Sequence, residues 1–239
     1  MTSGDIETRA RQQVDRDEAR ITGGRRSSQS LRAVFVEFWR HPSPYILSAY
    51  LLAAIVGRVL AGPGAWWELF IPVGLVAIMP VVEWVIHVFV LHWKPRRVAG
   101  ITIDPLLSRK HRAHHRDPRS IPLVFVPWQV ELGIGPGLAL LAWATTPTWS
   151  AMFTVIVAVM VLLSAYEWTH YLLHSDYRPR SGWFRSVWRN HRLHHYKSEH
   201  YWFTVTTAAT ADRLFGTYPD PATVPTSPTA RNLHGLADS

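Results

Sequence analysis

The residues of this sequence most able to do chemistry are histidines. The chain has 13 histidines in 239 residues, and ten of them fall into four groups with the patterns H-x4-H, H-x2-H-H, H-x3-H and H-x2-H-H. Neutral imidazole is the commonest metal-binding side chain and suits iron, copper, zinc and nickel. We therefore predict that ten histidines are metal ligands: His87, His92, His111, His114, His115, His170, His174, His191, His194 and His195.

The spacing within each group predicts how a helix presents it. Residues three or four apart lie on one face of a helix, so each H-x2-H-H triad forms a stripe, as does the pair His170 and His174. His87 and His92 are five residues apart, which on a regular helix separates them by about 140°. We therefore expect a π-bulge, a helix end or a kink between them.

The groups also repeat along the chain. His115 and His195 are 80 residues apart, and each half begins with a Glu-Trp pair shortly before its first histidine. Each half therefore supplies one apolar helix that ends in ligands and one polar H-x2-H-H helix. The repeat predicts two similar halves that enclose two metal ions.

The absence of cysteine narrows the chemistry. Disulfides, iron–sulfur clusters, thiolate zinc sites and cysteine nucleophiles are all excluded. Ligation by nitrogen alone favours a redox-active first-row metal with positions left open for oxygen. A metal transporter and a metal-dependent lipid hydrolase are the alternatives. The first needs ligands along a transport path, and the second needs fewer histidines and a carboxylate ligand, so the pattern argues against both.

Four apolar segments must position these histidines. They cover about 44–62, 66–93, 121–145 and 149–166, and the last continues as a helix to His174. Prolines and glycines make the third segment irregular, and we expect a broken or re-entrant helix pair there. The predicted fold class is all-α: a polytopic membrane protein with about four transmembrane helices, capped by cytosolic helices that carry a His-rich di-metal site.

Basic residues lie on one side of the predicted spans. Lys and Arg concentrate before residue 44, between 93 and 120 and after 174, and the formal net charge is +8. The positive-inside rule places both termini and the metal site in the cytoplasm, and the heavy use of Arg and Ala points to a bacterial plasma membrane. Because no nucleic-acid recognition motif accompanies the charge, we expect no nucleic-acid partner.

The ends of the chain are polar. We predict a disordered N-terminal tail over 1–34, a membrane domain over 35–220 and a C-terminal tail over 221–239.

Three further residues are candidates for supporting the metal site. Glu83 lies one turn before the first histidine group and Glu167 lies three residues before the third. Each carboxylate is placed to accept the outer N–H of a ligand histidine, and the alternative is a polar group that faces a water-filled cavity. His200 follows the last triad and is a candidate supporting or substrate-gating residue. Two histidines outside the groups are expected to have no specific role: His41 and His234.

The order of the motifs resembles the fatty acid hydroxylase superfamily of membrane di-iron proteins. The resemblance covers about residues 35–220. Its most specific part is Asn190-His191-Arg192-Leu193-His194-His195-Tyr196-Lys197, followed by Asp212-Arg213-Leu214-Phe215-Gly216-Thr217. It implies that the ten histidines ligate two iron ions, with zinc possible in the isolated protein, and that O2 is a co-substrate.

The resemblance also implies an activity. The expected function is hydroxylation of a C–H bond in a membrane lipid or acyl chain, with lipid or sterol desaturation as the alternative within the same superfamily. Some relatives carry a fused cytochrome b5-like domain that this sequence lacks. We therefore expect a separate electron donor, either a ferredoxin or a cytochrome b5-like protein with its reductase.

Overall fold

The computed structural model describes residues 29–178 and 180–236, and these fold mainly into helices. In chain order the helices are α1 (Leu31–Phe38), α2 (Pro42–Leu60), α3 (Phe70–Val85), α4 (Leu106–Arg116), α5 (Trp128–Thr145), α6 (Trp149–His174), α7 (Gly182–Tyr196) and α8 (Thr210–Leu214). Short 3-10 turns cover Trp66–Leu69, Ile121–Leu123 and Leu233–Gly235, and a π-helical segment covers Ile86–Leu91. A small hairpin pairs strands β1 (Arg96–Val98) and β2 (Ile101–Ile103).

Four helical segments are long and apolar enough to cross a membrane. They are Pro42–Leu60, Trp66–Leu91, Ile121–Thr145 and Trp149–His174. This confirms the four spans and the helical fold class that the sequence predicts. The helix that begins at Trp149 continues to His174 without a break. Its last two turns are more polar than the rest, and they are buried against other parts of the protein.

The third span differs from the prediction. It is one continuous helix, α5, preceded by a short 3-10 turn, and not a broken or re-entrant pair. Pro136 lies inside α5 and has no N–H to donate to the carbonyl of Leu132, four residues earlier. The hydroxyl of Tyr50, on α2, donates to that carbonyl at 3.1 Å. The neighbouring helix thus satisfies the group that proline leaves free, and α5 continues through it.

Helix α6 lies at the centre of the apolar bundle, where it packs against α2, α3 and α5. The buried residues of this core are Leu47, Ala54, Ala142, Met152, Ile156 and Met160. Gly57 on α2 faces Phe153 on α6, at a place where a Cβ atom would overlap the ring. Glycine therefore allows these two helices to approach closely, which is how helices gain packing energy inside a membrane.

The N-terminal helix α1 docks on the end of α6. The side chain of Ser30 accepts a hydrogen bond from the N–H of Ala33 at 3.2 Å, and the hydroxyl of Tyr171 donates to the carbonyl of Val34 at 2.9 Å. Residues 31–34 are thus helical, although the sequence predicts disorder there. Residues 1–28 of that predicted tail lie outside the described residues.

The π-helical segment resolves the five-residue spacing of the first histidine pair. The N–H of His92 donates to the carbonyl of His87 at 3.1 Å, which is a hydrogen bond of the i to i+5 type. The extra residue in this turn brings both imidazoles to the same side, with ring centroids 4.9 Å apart. Of the three alternatives that the spacing predicts, the structure has the π-bulge. The π-helical segment that continues α3 and the last turns of α6 carry histidines at the same end of the bundle, and α4 and α7 follow beyond them.

Candidate metal centre

The ten grouped histidines gather into two clusters of five. Within each cluster one ring nitrogen from every histidine lies within 4.8 Å of all the others. We call the clusters M1 (His87, His92, His111, His115 and His194) and M2 (His114, His170, His174, His191 and His195). All of these side chains are buried except that of His92, which is partly buried.

Each cluster takes four histidines from one half of the chain and one from the other. His194, from the second half, completes M1, and His114, from the first half, completes M2. These two residues occupy the same position of the two H-x2-H-H motifs. That position is rotated by about 100° from the last histidine of the motif, so it faces the neighbouring cluster. The sequence repeat predicts two halves but does not reveal this exchange.

The two clusters are in contact. The ring of His115 in M1 lies 4.2 Å, centroid to centroid, from the ring of His195 in M2 and 4.9 Å from that of His194. Further rings extend the group on both sides, with His87 4.6 Å from His194 and His174 4.9 Å from His195. Histidines from both halves therefore converge on one site, as the spacing predicts.

In M1 the imidazoles turn one nitrogen outward and the other inward. The Nδ1 atom of His87 lies 2.6 Å from the carbonyl oxygen of Phe203, and the Nδ1 atom of His194 lies 2.8 Å from that of Tyr201. A carbonyl only accepts, so Nδ1 carries the proton and Nε2 keeps its lone pair. The Nε2 atoms of His87, His92 and His194 are buried and have no hydrogen-bond partner among the described residues. A metal ion would satisfy these lone pairs.

In M2 the inward nitrogens approach one another closely. The Nε2 atom of His174 lies 2.6 Å from that of His191 and 3.1 Å from that of His114, and the Nε2 atoms of His195 and His191 are 3.1 Å apart. Imidazole nitrogens bound to one metal at about 2.0–2.1 Å lie roughly 3 Å apart. The nitrogens of His114, His174, His191 and His195 are therefore close to the separation of ligands around a shared ion, and both clusters could hold a metal ion.

Burial keeps the ligands neutral. Removal from water lowers the pKa of His194 to about 4, even though its hydrogen bond to Tyr201 favours the charged form. Burial, followed by repulsion from neighbouring imidazoles, also lowers the pKa of other ligand histidines well below the ordinary value: His92, His111, His114, His115, His191 and His195. At neutral pH their lone pairs are free to bind a cation.

Glu83 contacts backbone groups beside M1, and not a histidine ring as the sequence predicts. Glu83 accepts hydrogen bonds from the N–H of Val205 and from the N–H and hydroxyl of Thr206, the last two at 3.0 and 2.7 Å. Asp212 holds the adjoining N–H groups of Phe203 and Thr204 at 2.9 and 3.0 Å. Glu83 and Asp212 therefore fix the loop that contains Phe203, and the Phe203 carbonyl orients His87 of M1. Nothing in the sequence except the family signature predicts this role for Asp212.

Glu167 holds a second loop beside M2. Its carboxylate accepts a hydrogen bond from the N–H of Val126 at 2.8 Å, and the backbone of Val124, two residues earlier, hydrogen bonds to His170. The pattern repeats that of Glu83, because a glutamate near the end of an apolar helix fixes a loop that orients the first histidine of the same helix. The two halves of the chain are therefore similar both in their clustered histidines and in the residues that support those histidines.

The C-terminal segment covers M1. The Nδ1 atom of His115 lies 2.9 Å from the carbonyl oxygen of Ala230, and the Nε2 atom of His234 lies 3.0 Å from that of His92. Leu233 is only 1% exposed. Ala230, Leu233 and His234, in the predicted C-terminal tail, are therefore packed on or beside the site. Nothing in the polar, proline-containing sequence of this segment predicts that contact, and His234 is a neighbour of the site that the spacing analysis misses.

The segment is tied to the rest of the protein by Glu199. The hydroxyls of Ser227 and Thr229 both donate to this carboxylate, the first at 3.1 Å. Burial alone would raise the pKa of Glu199, but these hydrogen bonds outweigh it and the pKa falls below its ordinary value. Glu199 is therefore ionised at neutral pH and accepts both bonds.

His200 and His41 lie outside both clusters. The side chain of His200 is 71% exposed, and its Nε2 atom lies 3.5 Å from Glu199. His41 stacks on Phe125 with ring centroids 4.5 Å apart. Neither residue belongs to M1 or M2.

These features define a class of protein: a bundle of four apolar helices that ends in two adjacent all-histidine clusters able to hold metal ions. The family model described as Fatty acid hydroxylase matches residues 72–217, more than half of the chain. The chain therefore belongs to the fatty acid hydroxylase family.

A solved structure, described as full-length Scs7p with only its hydroxylase domain visible, is similar in fold. The TM-score is 0.62 at 21% sequence identity, over 76% of this chain and 68% of that one. No curated protein gives a significant match.

Proposed function

We propose that this chain is a hydroxylase that uses O2 to oxidise a C–H bond of a membrane lipid or acyl chain, with two iron ions held by M1 and M2. The observation that carries this proposal is the pair of adjacent five-histidine clusters at the end of four apolar helices. Membership of the fatty acid hydroxylase family supports the same reaction class.

The protein's own contribution is to hold and protect the metals. Ten imidazoles supply the ligand nitrogens, and backbone carbonyls of Phe203, Tyr201 and Ala230 fix the orientation of three of the rings. Near-complete burial of both clusters excludes bulk water. Iron bound there would supply the redox chemistry that activates O2 towards an unactivated C–H bond.

The reaction balances only with an external reductant. Hydroxylation consumes one O2, two electrons and two protons, and it yields the hydroxylated lipid and one water. The described residues provide histidines as ligands for a redox metal, and the chain contains no cysteine. We propose that a ferredoxin, or a cytochrome b5-like protein with its reductase, delivers the electrons.

The depth of the site supports a lipid as substrate. His87 lies in the last residues of the second apolar segment, and His170 and His174 lie at the end of the fourth. The clusters therefore sit at the level where the apolar helices end, near the polar headgroups of a bilayer. A lipid carbon close to its headgroup can reach this level from within the membrane. The positive-inside rule supports a cytoplasmic location for this end.

Isotope incorporation tests the proposal. The purified protein is loaded with iron and given a reductant, ¹⁸O2 and a mixture of palmitic acid, a diacyl phospholipid and a sphingolipid. We expect a product that carries one ¹⁸O atom, whereas a desaturase would yield a product that has lost two hydrogens and gained no oxygen. Turnover that continues without O2 would contradict the proposal and favour a hydrolase.

Two matched variants connect the activity to the clusters. His194→Ala removes the ligand that joins the second half of the chain to M1, and we expect it to abolish turnover. His41→Ala makes the same change at a histidine that belongs to neither cluster, so turnover should remain near that of the unmodified protein. Full activity of His194→Ala would contradict the proposed site.

A further inference from the structure

A small hairpin follows the second apolar segment, and the metal site does not use it. Strands β1 and β2 pair antiparallel, with Arg96 opposite Ile103, Arg97 opposite Thr102 and Val98 opposite Ile101. The two turn residues, Ala99 and Gly100, both have positive φ angles, 48° and 83°. A turn of this kind matches the twist of the strands and closes a tight two-residue hairpin.

The hairpin has one mainly apolar face, and residues 29–178 and 180–236 leave that face exposed. Side chains alternate across a strand and directly opposed residues share a face, so Val98, Ile101 and Ile103 lie on one face together with Arg96, while Arg97 and Thr102 lie on the other. Val98, Ile101 and Ile103 are 52%, 70% and 42% exposed. A two-stranded hairpin in water is marginally stable at best unless its apolar face packs on something.

The base of the hairpin is held firmly. The indole N–H of Trp93 donates to the carbonyl of Ile103 at 3.2 Å. Arg112, on α4, donates to the carbonyl of Trp93 at 3.2 Å and to the carboxylate of Asp104 at 2.6 Å. The exposed apolar face is therefore presented in a fixed position relative to α4, the helix that carries three of the metal-site histidines.

The position and charge of the hairpin indicate what covers it. The second apolar segment ends at Leu91, and β1 begins five residues later, within roughly 17 Å of that end. Lys94, Arg96 and Arg97 lie in this stretch, and the first acidic residue after them is Asp104. An apolar face flanked by basic residues next to the end of a span is typical of a segment that lies in the interface of a bilayer with anionic lipids. Trp93 is also of the type enriched at that interface.

We propose that this hairpin lies on the membrane leaflet nearest the histidine clusters. Val98, Ile101 and Ile103 insert at the boundary between headgroups and acyl chains, and the basic side chains contact the phosphates of anionic phospholipids. Through Trp93 and Arg112 the hairpin then holds α4 at a fixed height above the membrane. This contact does not depend on a bound metal or on the reaction that the site performs.

The absence of native cysteine allows a direct test with single labels. Ile101→Cys and Thr102→Cys, on opposite faces, each receive an environment-sensitive fluorophore, and the protein is placed in nanodiscs that contain an anionic phospholipid. We expect the probe at 101 to be quenched by a lipid with a nitroxide near its headgroup. Quenching of that probe by aqueous iodide should be several-fold weaker than quenching of the probe at 102.

Two other results would overturn the proposal. Equal iodide quenching at the two positions would mean that the apolar face is in water. Protection at 101 from both iodide and the nitroxide lipid would mean that protein covers the face, and a disulfide between two Ile101→Cys chains would identify a second copy.

Lipid charge provides a second, independent measurement. With the probe at 101, replacing the anionic lipid by a neutral one should weaken nitroxide quenching, and Arg96→Gln should have the same effect in anionic nanodiscs. Arg96 is suited to this variant because it lies on the membrane-facing side, opposite Ile103, whereas Arg97→Gln on the other face is the matched control. Quenching that depends on neither lipid charge nor Arg96 would contradict the assigned contact with phosphates.

Discussion

Replacement of Glu83 by alanine should weaken metal binding at M1 and leave M2 intact. Glu83 does not contact a histidine directly in the hydrogen bonds of the described residues. It accepts hydrogen bonds from Val205 and Thr206, and the same loop carries the Phe203 carbonyl that orients His87. The variant therefore tests whether the loop transmits the effect of the carboxylate to one cluster only.

The expected loss of metal affinity follows from the hydrogen bonds that the variant removes. Alanine leaves three donors, two backbone N–H groups and one hydroxyl, without their acceptor. Each buried donor left unsatisfied costs about 1–3 kcal/mol, so the three together cost at most about 3–9 kcal/mol. This is comparable to the about 5–15 kcal/mol by which a domain is stable, so a circular dichroism spectrum must first show that the variant folds. Only the part of this cost that displaces the Phe203 carbonyl reaches the metal. Loss of such a supporting bond typically lowers metal affinity about 10–100-fold.

The assay is the metal content per chain after equilibration against a graded series of chelator concentrations. The unmodified protein should release its two metals over one range, whereas Glu83→Ala should release one of them at a lower chelator concentration. Glu37→Ala, in α1, removes a partly exposed carboxylate that pairs with Arg40 and serves as the matched control. Equal weakening of both metals, or no change in either, would refute a role for the loop at M1.

Further expected outcomes concern the bundle, the C-terminal segment and the topology. Gly135→Ala should lower stability by about 1–3 kcal/mol, because its Cβ would enter a tyrosine ring, whereas Gly137→Ala has open space and should not; thermal unfolding compares them. Deletion of 221–239 should remove the carbonyl that orients His115 and lower metal occupancy of M1, as metal analysis would show; unchanged occupancy would contradict this. Ser3→Cys should resist an impermeant thiol reagent added outside intact cells, and efficient labelling would refute the cytoplasmic N-terminus.

The sequence predicts those features that depend on local spacing. Hydropathy alone finds the four spans, because an apolar helix must be about 20 residues long to cross a bilayer. The five-residue gap between His87 and His92 predicts an interruption of the regular helix, because no regular helix places both on one side, and the structure shows that this interruption is a π-bulge. The ten histidines of the two clusters are likewise found from their grouping.

Long-range packing accounts for what the sequence does not predict. The exchange of His114 and His194 between clusters depends on how two helices from different halves face each other, which local periodicity does not encode. Helix α5 continues through Pro136 because Tyr50, more than 80 residues away, supplies the missing hydrogen bond. The contact between Ala230 and His115 likewise joins residues 115 apart in the chain.

Anomalous scattering at the iron edge, from crystals of the iron-loaded protein, tests the two-metal site most directly. We predict two iron peaks, one surrounded by the five histidines of M1 and one by those of M2, with His114 bound to the second iron and His194 to the first. A single peak, no peak, or iron bound outside these ten histidines would contradict the account.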